Sequence, residues 1–162
     1  MQRPFVPRFE SLAMKHIHVS CAIIERDGLV LAVQRNSHMS MPLKWEFPGG
    51  KIDRGESAEE CLRRELAEEL SIEIGIEKRL ASHTHHYSAF TVTLHSFVCT
   101  LKAERIVLHE HKALTWLPPE SLETLDWAEA DRPVIADYLE YAGCENRETG
   151  LGDRKRSNGQ SE

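Results

Sequence analysis

The sequence predicts one α/β domain in which several short strands surround one strongly patterned helix. Three observations predict it. A length of 162 residues is enough for one core and too short for two ordinary ones. Short runs of β-branched and apolar residues recur between turn dipeptides. One capped segment carries apolar residues at helical spacing.

Taken in chain order, Met1 to Ala13 reads as a loose extension, and either Met1 or Met14 is a candidate initiator. The domain itself is expected over residues 14–142. His18 to Ile24, the turn Asp27-Gly28 and Leu29 to Val33 form a β-hairpin pattern. A polar loop, Asn36 to Lys44, leads to Trp45-Glu46-Phe47-Pro48-Gly49-Gly50, where the Pro-Gly-Gly run breaks regular structure. Ser57 then offers an N-cap with Glu60 three positions on, and Ala58, Cys61, Leu62, Leu66 and Leu70 line one helical face. Ile72 to Leu80, Ala89 to Leu101 and Ala113 to Leu117 read as strands. Pro118-Pro119 precedes a short helix near Ser121 to Thr124, and Pro133 to Tyr141 reads as a last helix. From Gly143 to Glu162 the polar composition predicts a disordered tail.

Composition excludes several classes of function. A formal charge of −6 argues against a nucleic-acid polymer as partner but leaves a small phosphorylated ligand open, since a metal ion neutralises it locally. No apolar run reaches the roughly 20 residues of a membrane helix, and no secretory pattern opens the chain, so no membrane partner and a cytoplasmic location are expected. Cys21, Cys61, Cys99 and Cys144 form no CxxC pair and read as reduced and mostly core filler. Of the nine histidines, His83 and His85 share one face of a strand and His86 the other, with no further convergent ligands for structural zinc.

The chemistry concentrates between Gly50 and Ile72. Glu65, Glu68 and Glu69 stand at i, i+3 and i+4 on the central helix, so like charges crowd one face. Such crowding calls for a cation, and a hard divalent ion with oxygen ligands suits it. Arg64 is placed to pair with and orient one of these carboxylates. Gly49, Gly50 and Gly55 let the backbone approach a ligand closely. An isolated acidic cluster is more often a solvated face, but this one is embedded in a longer pattern. From Gly50 there are five residues to Glu56, seven more to Arg64, then Glu65, Leu66, Glu68, Glu69 and Ile72.

That pattern resembles the Nudix box at every prescribed position but Ser71, where the family has glycine. Met14 to Leu139 as a whole resembles MutT and the bacterial CTP pyrophosphohydrolases. The resemblance implies a central mixed sheet between helices, with the box as a loop, helix and loop. It implies Mg²⁺, with Mn²⁺ as a substitute, held by Glu65, Glu68, Glu69 and the Gly49 carbonyl, with Glu56 in support. Glu110, in a loop before a strand, would be a further metal contact and candidate base. Arg35 and Lys51 would meet a triphosphate, and Asp131 would face the base. An N-cap role for Asp131, ahead of Pro133, has nearly equal weight. The implied reaction turns a nucleoside triphosphate into a monophosphate and pyrophosphate, with modified cytosine nucleotides or oxidised purines such as 8-oxo-dGTP as substrates in nucleotide-pool sanitation. Hydrolysis of another nucleoside-diphosphate-linked compound, or nucleotide binding without cleavage, is the alternative. Either a monomer or a homodimer is expected.

Overall fold

The computed structural model describes residues 14–102 and 104–152, with side chains as far as residue 145. The extension Met1 to Ala13 and residues 153–162 lie outside the described residues. Strands β1 (Lys15–Arg26) and β2 (Leu29–Gln34) form the expected hairpin. Asp27 and Gly28 both take positive φ, 53° and 76°, matching the right-handed strand twist. The segment entering the box divides in two, β3 (Trp45–Glu46) and β4 (Gly49–Lys51), because Phe47-Pro48 lifts the chain from one strand partner to another: β3 pairs with β2, and β4 with β1.

Helix α1 (Ala58–Leu70) begins at a full capping box. Ser57 accepts from the Glu60 amide while the Glu60 carboxylate accepts from the Ser57 amide. It ends at Ser71 in the left-handed region (φ 55°, ψ 40°), the conformation that favours glycine there. Strands β5 (Ile74–Arg79), β6 (His83–His86), β7 (Phe90–Leu101) and β8 (Ala113–Leu117) follow, with β5 starting two residues later than the sequence suggests. Pro119–Thr124 and Glu129–Asp131 are 3₁₀ turns. Helix α2 (Arg132–Gly152) closes the described chain.

The order β3-β2-β1-β7-β5 is mixed, since β1 and β7 run parallel over eleven register pairs while the other pairings are antiparallel; β4, β6 and β8 pair off this path. Alternation along β1 sends Ala22 and Ile24 to one face, where they pack with Leu62, Leu66 and Leu70 of α1. Cys21 and Ile23 point to the other, with Val134, Ile135 and Tyr138 of α2. A mixed sheet between helices is therefore the architecture.

One boundary differs from expectation. Residues 143–152, expected as disordered tail, continue α2 to Gly152. Propagation adds a hydrogen bond for each residue fixed once a helix is nucleated, and Tyr141 Oη donates to Glu145 Oε1 at 2.7 Å one turn on. Polar composition alone did not reveal that support. Cys21, Cys61 and Cys99 are buried free thiols, whereas Cys144 is exposed.

Candidate active site

The N-terminal half of α1 is tied to the sheet by short polar contacts. Ser20 Oγ of β1 donates to the Ala58 carbonyl at 2.7 Å, and Cys61 Sγ reaches the Gly50 carbonyl at 3.4 Å. This brings the next helical turn against β4. A Cβ at Gly50 would lie 2.2 Å from Glu65 Cδ, and one at Gly49 would lie 2.0 Å from the Ser20 carbonyl oxygen. Both glycines are therefore required by close packing: Gly49 by the sheet and Gly50 by the Glu65 carboxylate.

Arg64 organises the box. Its guanidinium donates to Glu56 Oε1 at 2.8 Å and Oε2 at 2.9 Å, and to Glu65 Oε1 at 2.7 Å, with Glu68 Oε2 at 3.5 Å. The hydrogen bonds from Arg64 hold the Glu56 carboxyl down at about 2. Glu68 is the exposed member of the trio and Glu69 is buried. Burial, reinforced by the nearby charges of Glu65, Glu110 and Glu46, pushes Glu69 up to about 8. Glu69 Oε2 is buried with no hydrogen-bond partner among the described residues.

Those facts test the fit of a cation. A crowded carboxylate cluster with one orphaned, buried oxygen beside a glycine cradle has the donor chemistry that a hard divalent ion takes. No three His, Cys, Asp or Glu side chains among the described residues are already converged in metal-holding geometry, because Arg64 is the cation that Glu56, Glu65 and Glu68 meet. The residues fit a divalent ion after side-chain rotation.

A cavity of about 350 Å³ opens beside this cluster. Its lining includes Gly49, Gly50, Lys51, Glu65 and Glu69 around the box, Phe47, Tyr87, Phe90 and Asp131, and Arg35, whose charge is felt by both Tyr87 and Asp131. Glu110 is outside the lining but near enough to Glu69 to raise its pKa, on a loop held by the His109 amide to the Glu69 carbonyl at 3.0 Å. Arg35 is not free: it meets Glu46 Oε2 at 2.5 Å and binds the Ser40 carbonyl at 2.6 Å and Oγ at 2.9 Å. Among the described residues, Asp131 makes no side-chain hydrogen bond to the start of α2 as an N-cap would. Its Oδ1 accepts from the Phe47 amide at 3.0 Å across the cavity wall, and burial pushes its carboxyl up to about 8.

Sequence reasoning passed over Glu46, His111 and the aromatic wall of Tyr87 and Phe90. Glu46 carried a signal, a charge between Trp45 and Phe47 in an otherwise apolar stretch. His111 lay in a polar run that gave no hint of its burial. Tyr87 and Phe90 converge through the β6–β7 turn, their rings 4.9 Å apart, which spacing alone does not show.

Sheet, helix and box together define the class: the chain belongs to the Nudix family, whose NUDIX domain matches residues 14–138, and it is a Nudix hydrolase. It is 39% identical over 126 residues to the CTP pyrophosphohydrolase of Escherichia coli (strain K12), covering 78% of this chain and 93% of that protein. With the 8-oxo-dGTP diphosphatase of Proteus vulgaris it shares 33% identity over 87 residues, 53% of this chain and 78% of the other. The crystal structure of MutT protein from Methanosarcina mazei Go1 superposes with a TM-score of 0.71 at 25% identity, covering 84% of this chain and 99% of that one. No helix among the described residues is long and apolar enough to cross a membrane.

Proposed function

We propose that this enzyme is a magnesium-dependent nucleoside triphosphate pyrophosphohydrolase that prefers cytosine nucleotides, releasing the monophosphate and pyrophosphate. The observation that carries the proposal is a single cavity joining the Glu65–Glu69 carboxylates to a buried Asp131. One end suits phosphates and the other a base.

Glu65, Glu68 and Glu69 would hold Mg²⁺, or Mn²⁺ in its place, with the Gly49 carbonyl; Glu56 supports them through Arg64. When bound, the ion offsets charge on the phosphate oxygens and lowers the pKa of coordinated water. The chain's own residues do the rest. Lys51 stands exposed at the cavity rim, where its ammonium meets phosphate oxygens. Arg35 keeps two of its five N–H groups after its bonds to Glu46 and Ser40, and offers them to the same oxygens. Glu110 lies on an exposed loop beside Glu69 and accepts the proton of the attacking water.

Base choice follows from Asp131. A carboxyl held at about 8 is protonated at neutral pH, so it donates to cytosine N3 and accepts from the 4-amino group. Guanine would require the ionised form, which burial opposes. Tyr87 and Phe90, their rings tilted by 33° to one another, supply an aromatic wall for the base. The similarity to a CTP pyrophosphohydrolase supports this choice, and the similarity to 8-oxo-dGTP diphosphatases keeps oxidised guanine as the second reading.

Pyrophosphate release with Mg²⁺ from CTP, dCTP, 5-substituted dCTP, dGTP and 8-oxo-dGTP, with ADP-ribose alongside for cleavage, tests this. Cytosine triphosphates should lead by about tenfold or more in kcat/KM. A lead for 8-oxo-dGTP overturns the base assignment, and a lead for ADP-ribose overturns the triphosphate reading. Binding without cleavage of any compound moves the chain to the nucleotide-binding class.

A further inference from the structure

We propose that His111 is a positioning residue that, through Glu46, sets the guanidinium of Arg35 in the cavity wall. The inference rests on the reading that Arg35 meets the substrate phosphates.

Three segments distant in sequence meet at one carboxylate. Glu46 is on β3, Arg35 follows β2, and His111 precedes β8. Glu46 Oε1 accepts from His111 Nε2 at 3.0 Å, while Oε2 accepts from Arg35 at 2.5 Å. The carboxylate is thereby fixed at both oxygens and holds the Arg35 fork in one orientation. Arg35 completes its anchoring on Ser40, through the backbone carbonyl and the hydroxyl. Glu46 and Arg35 both line the cavity, and His111 lies behind them.

The burial of His111 is hard to explain by stability alone. Its side chain is 2% exposed, and Nδ1 is buried without a partner among the described residues. An apolar residue of the same volume would fill the position without leaving a polar atom unmatched. What an apolar residue lacks is the N–H that reaches Glu46. Because the Glu46 carboxylate accepts at Oε1, Nε2 of His111 carries the proton of that bond. Backbone bonds keep the ring in place independently of any ligand: the Lys112 amide donates to the Gln34 carbonyl at 2.9 Å, joining the His111 segment to the end of β2 one residue before Arg35.

A double-mutant cycle with a conservative rescue tests the proposal. His111→Asn keeps a polar side chain but is too short to reach Glu46, whereas His111→Gln places an amide N–H near the Nε2 position. His111→Asn should raise KM for CTP with Mg²⁺ by about tenfold with kcat within about twofold, and His111→Gln should recover most of that loss. In an Arg35→Ala background, His111→Asn should change KM by less than about twofold, because its effect runs through Arg35. Effects that multiply in the double variant, a fall in kcat at unchanged KM, or His111→Gln no better than His111→Asn would overturn it. If Arg35→Ala alone leaves KM unchanged, the phosphate-binding reading of Arg35 fails separately. The NMR signal of the Arg35 Nη1–H, the group that donates to Glu46, then decides the positioning: rapid exchange with water in His111→Asn supports it, and unchanged protection overturns it. If His111→Asn does not fold, Glu46→Gln, which weakens both bonds with little change of shape, takes its place with the same outcomes.

Discussion

Gly50 and Glu65 share a space that admits no methyl group: a Cβ at Gly50 would lie 2.2 Å from Glu65 Cδ. Gly50→Ala should leave the fold intact, since a flexible carboxylate can move aside, but should displace the carboxylate from the cavity. A displacement of about 1 Å in such a site costs on the order of 100-fold in rate, so kcat/KM should fall by about that much with little change in thermal midpoint. An unchanged rate would show that Glu65 tolerates displacement. Asp131 supplies a second test at this scale. Its carboxyl rises from 3.8 to about 8 on folding, so the folded chain keeps a proton that the unfolded chain releases above about pH 4. The contribution is full below pH 3.8 and is lost as pH rises through about 8. The urea midpoint should therefore decline between pH 5 and 8 less steeply in Asp131→Asn than in the parent, with a residual slope from Glu69, whose pKa is raised in the same direction. Equal slopes would remove burial of Asp131 from the account. The box carboxylates were legible in the sequence because helical spacing is a local property. The burial of Asp131 and His111 was not, because it depends on chain segments more than 60 residues away, as their bonds to Phe47 and Glu46 show.

At the scale of elements, α1 was legible almost to the residue. Its signals, a capping box and an apolar face, lie within the segment itself. Its far end also agrees with expectation: Ser71 adopts the left-handed conformation for which the family carries glycine. That conformation costs a non-glycine residue on the order of 1 kcal/mol. Ser71 Oγ partly offsets the cost through an exposed contact to His109 Nε2 at 2.7 Å, beside the loop that carries Glu110. Exposed hydrogen bonds contribute less, so Ser71→Gly should raise the thermal midpoint by roughly 1–3 °C. A fall would mean that the contact to His109 outweighs the backbone strain. The boundary at Gly143 was misread for the opposite reason. Helix propagation and the Tyr141–Glu145 contact outweigh a polar composition that, by itself, signals disorder.

At the scale of the whole molecule, the sheet sets the site. Parallel pairing of β1 with β7 and antiparallel pairing of β1 with β4 bring the glycines of β4 and the aromatic start of β7 to one cavity. The helices α1 and α2 lie on opposite faces of the sheet, and the cavity draws on segments next to both: the box carboxylates of α1 at one end and Asp131, immediately before α2, at the other. The alternation of strand residues announced a sheet, but not which strands would be neighbours, since pairing partners such as Ser20 and His95 are far apart in the chain. That is why the carboxylate cluster on α1 was legible and the aromatic wall was not. The central claim is that the Glu65–Glu69 cluster drives cleavage of a nucleoside triphosphate to monophosphate and pyrophosphate. The most direct test is product analysis with CTP and Mg²⁺ for the parent and Glu69→Gln. The account predicts CMP and pyrophosphate in equal amounts from the parent, and a rate lower by roughly 100-fold or more in the variant. Release of orthophosphate by the parent, or an undiminished rate in Glu69→Gln, would contradict it.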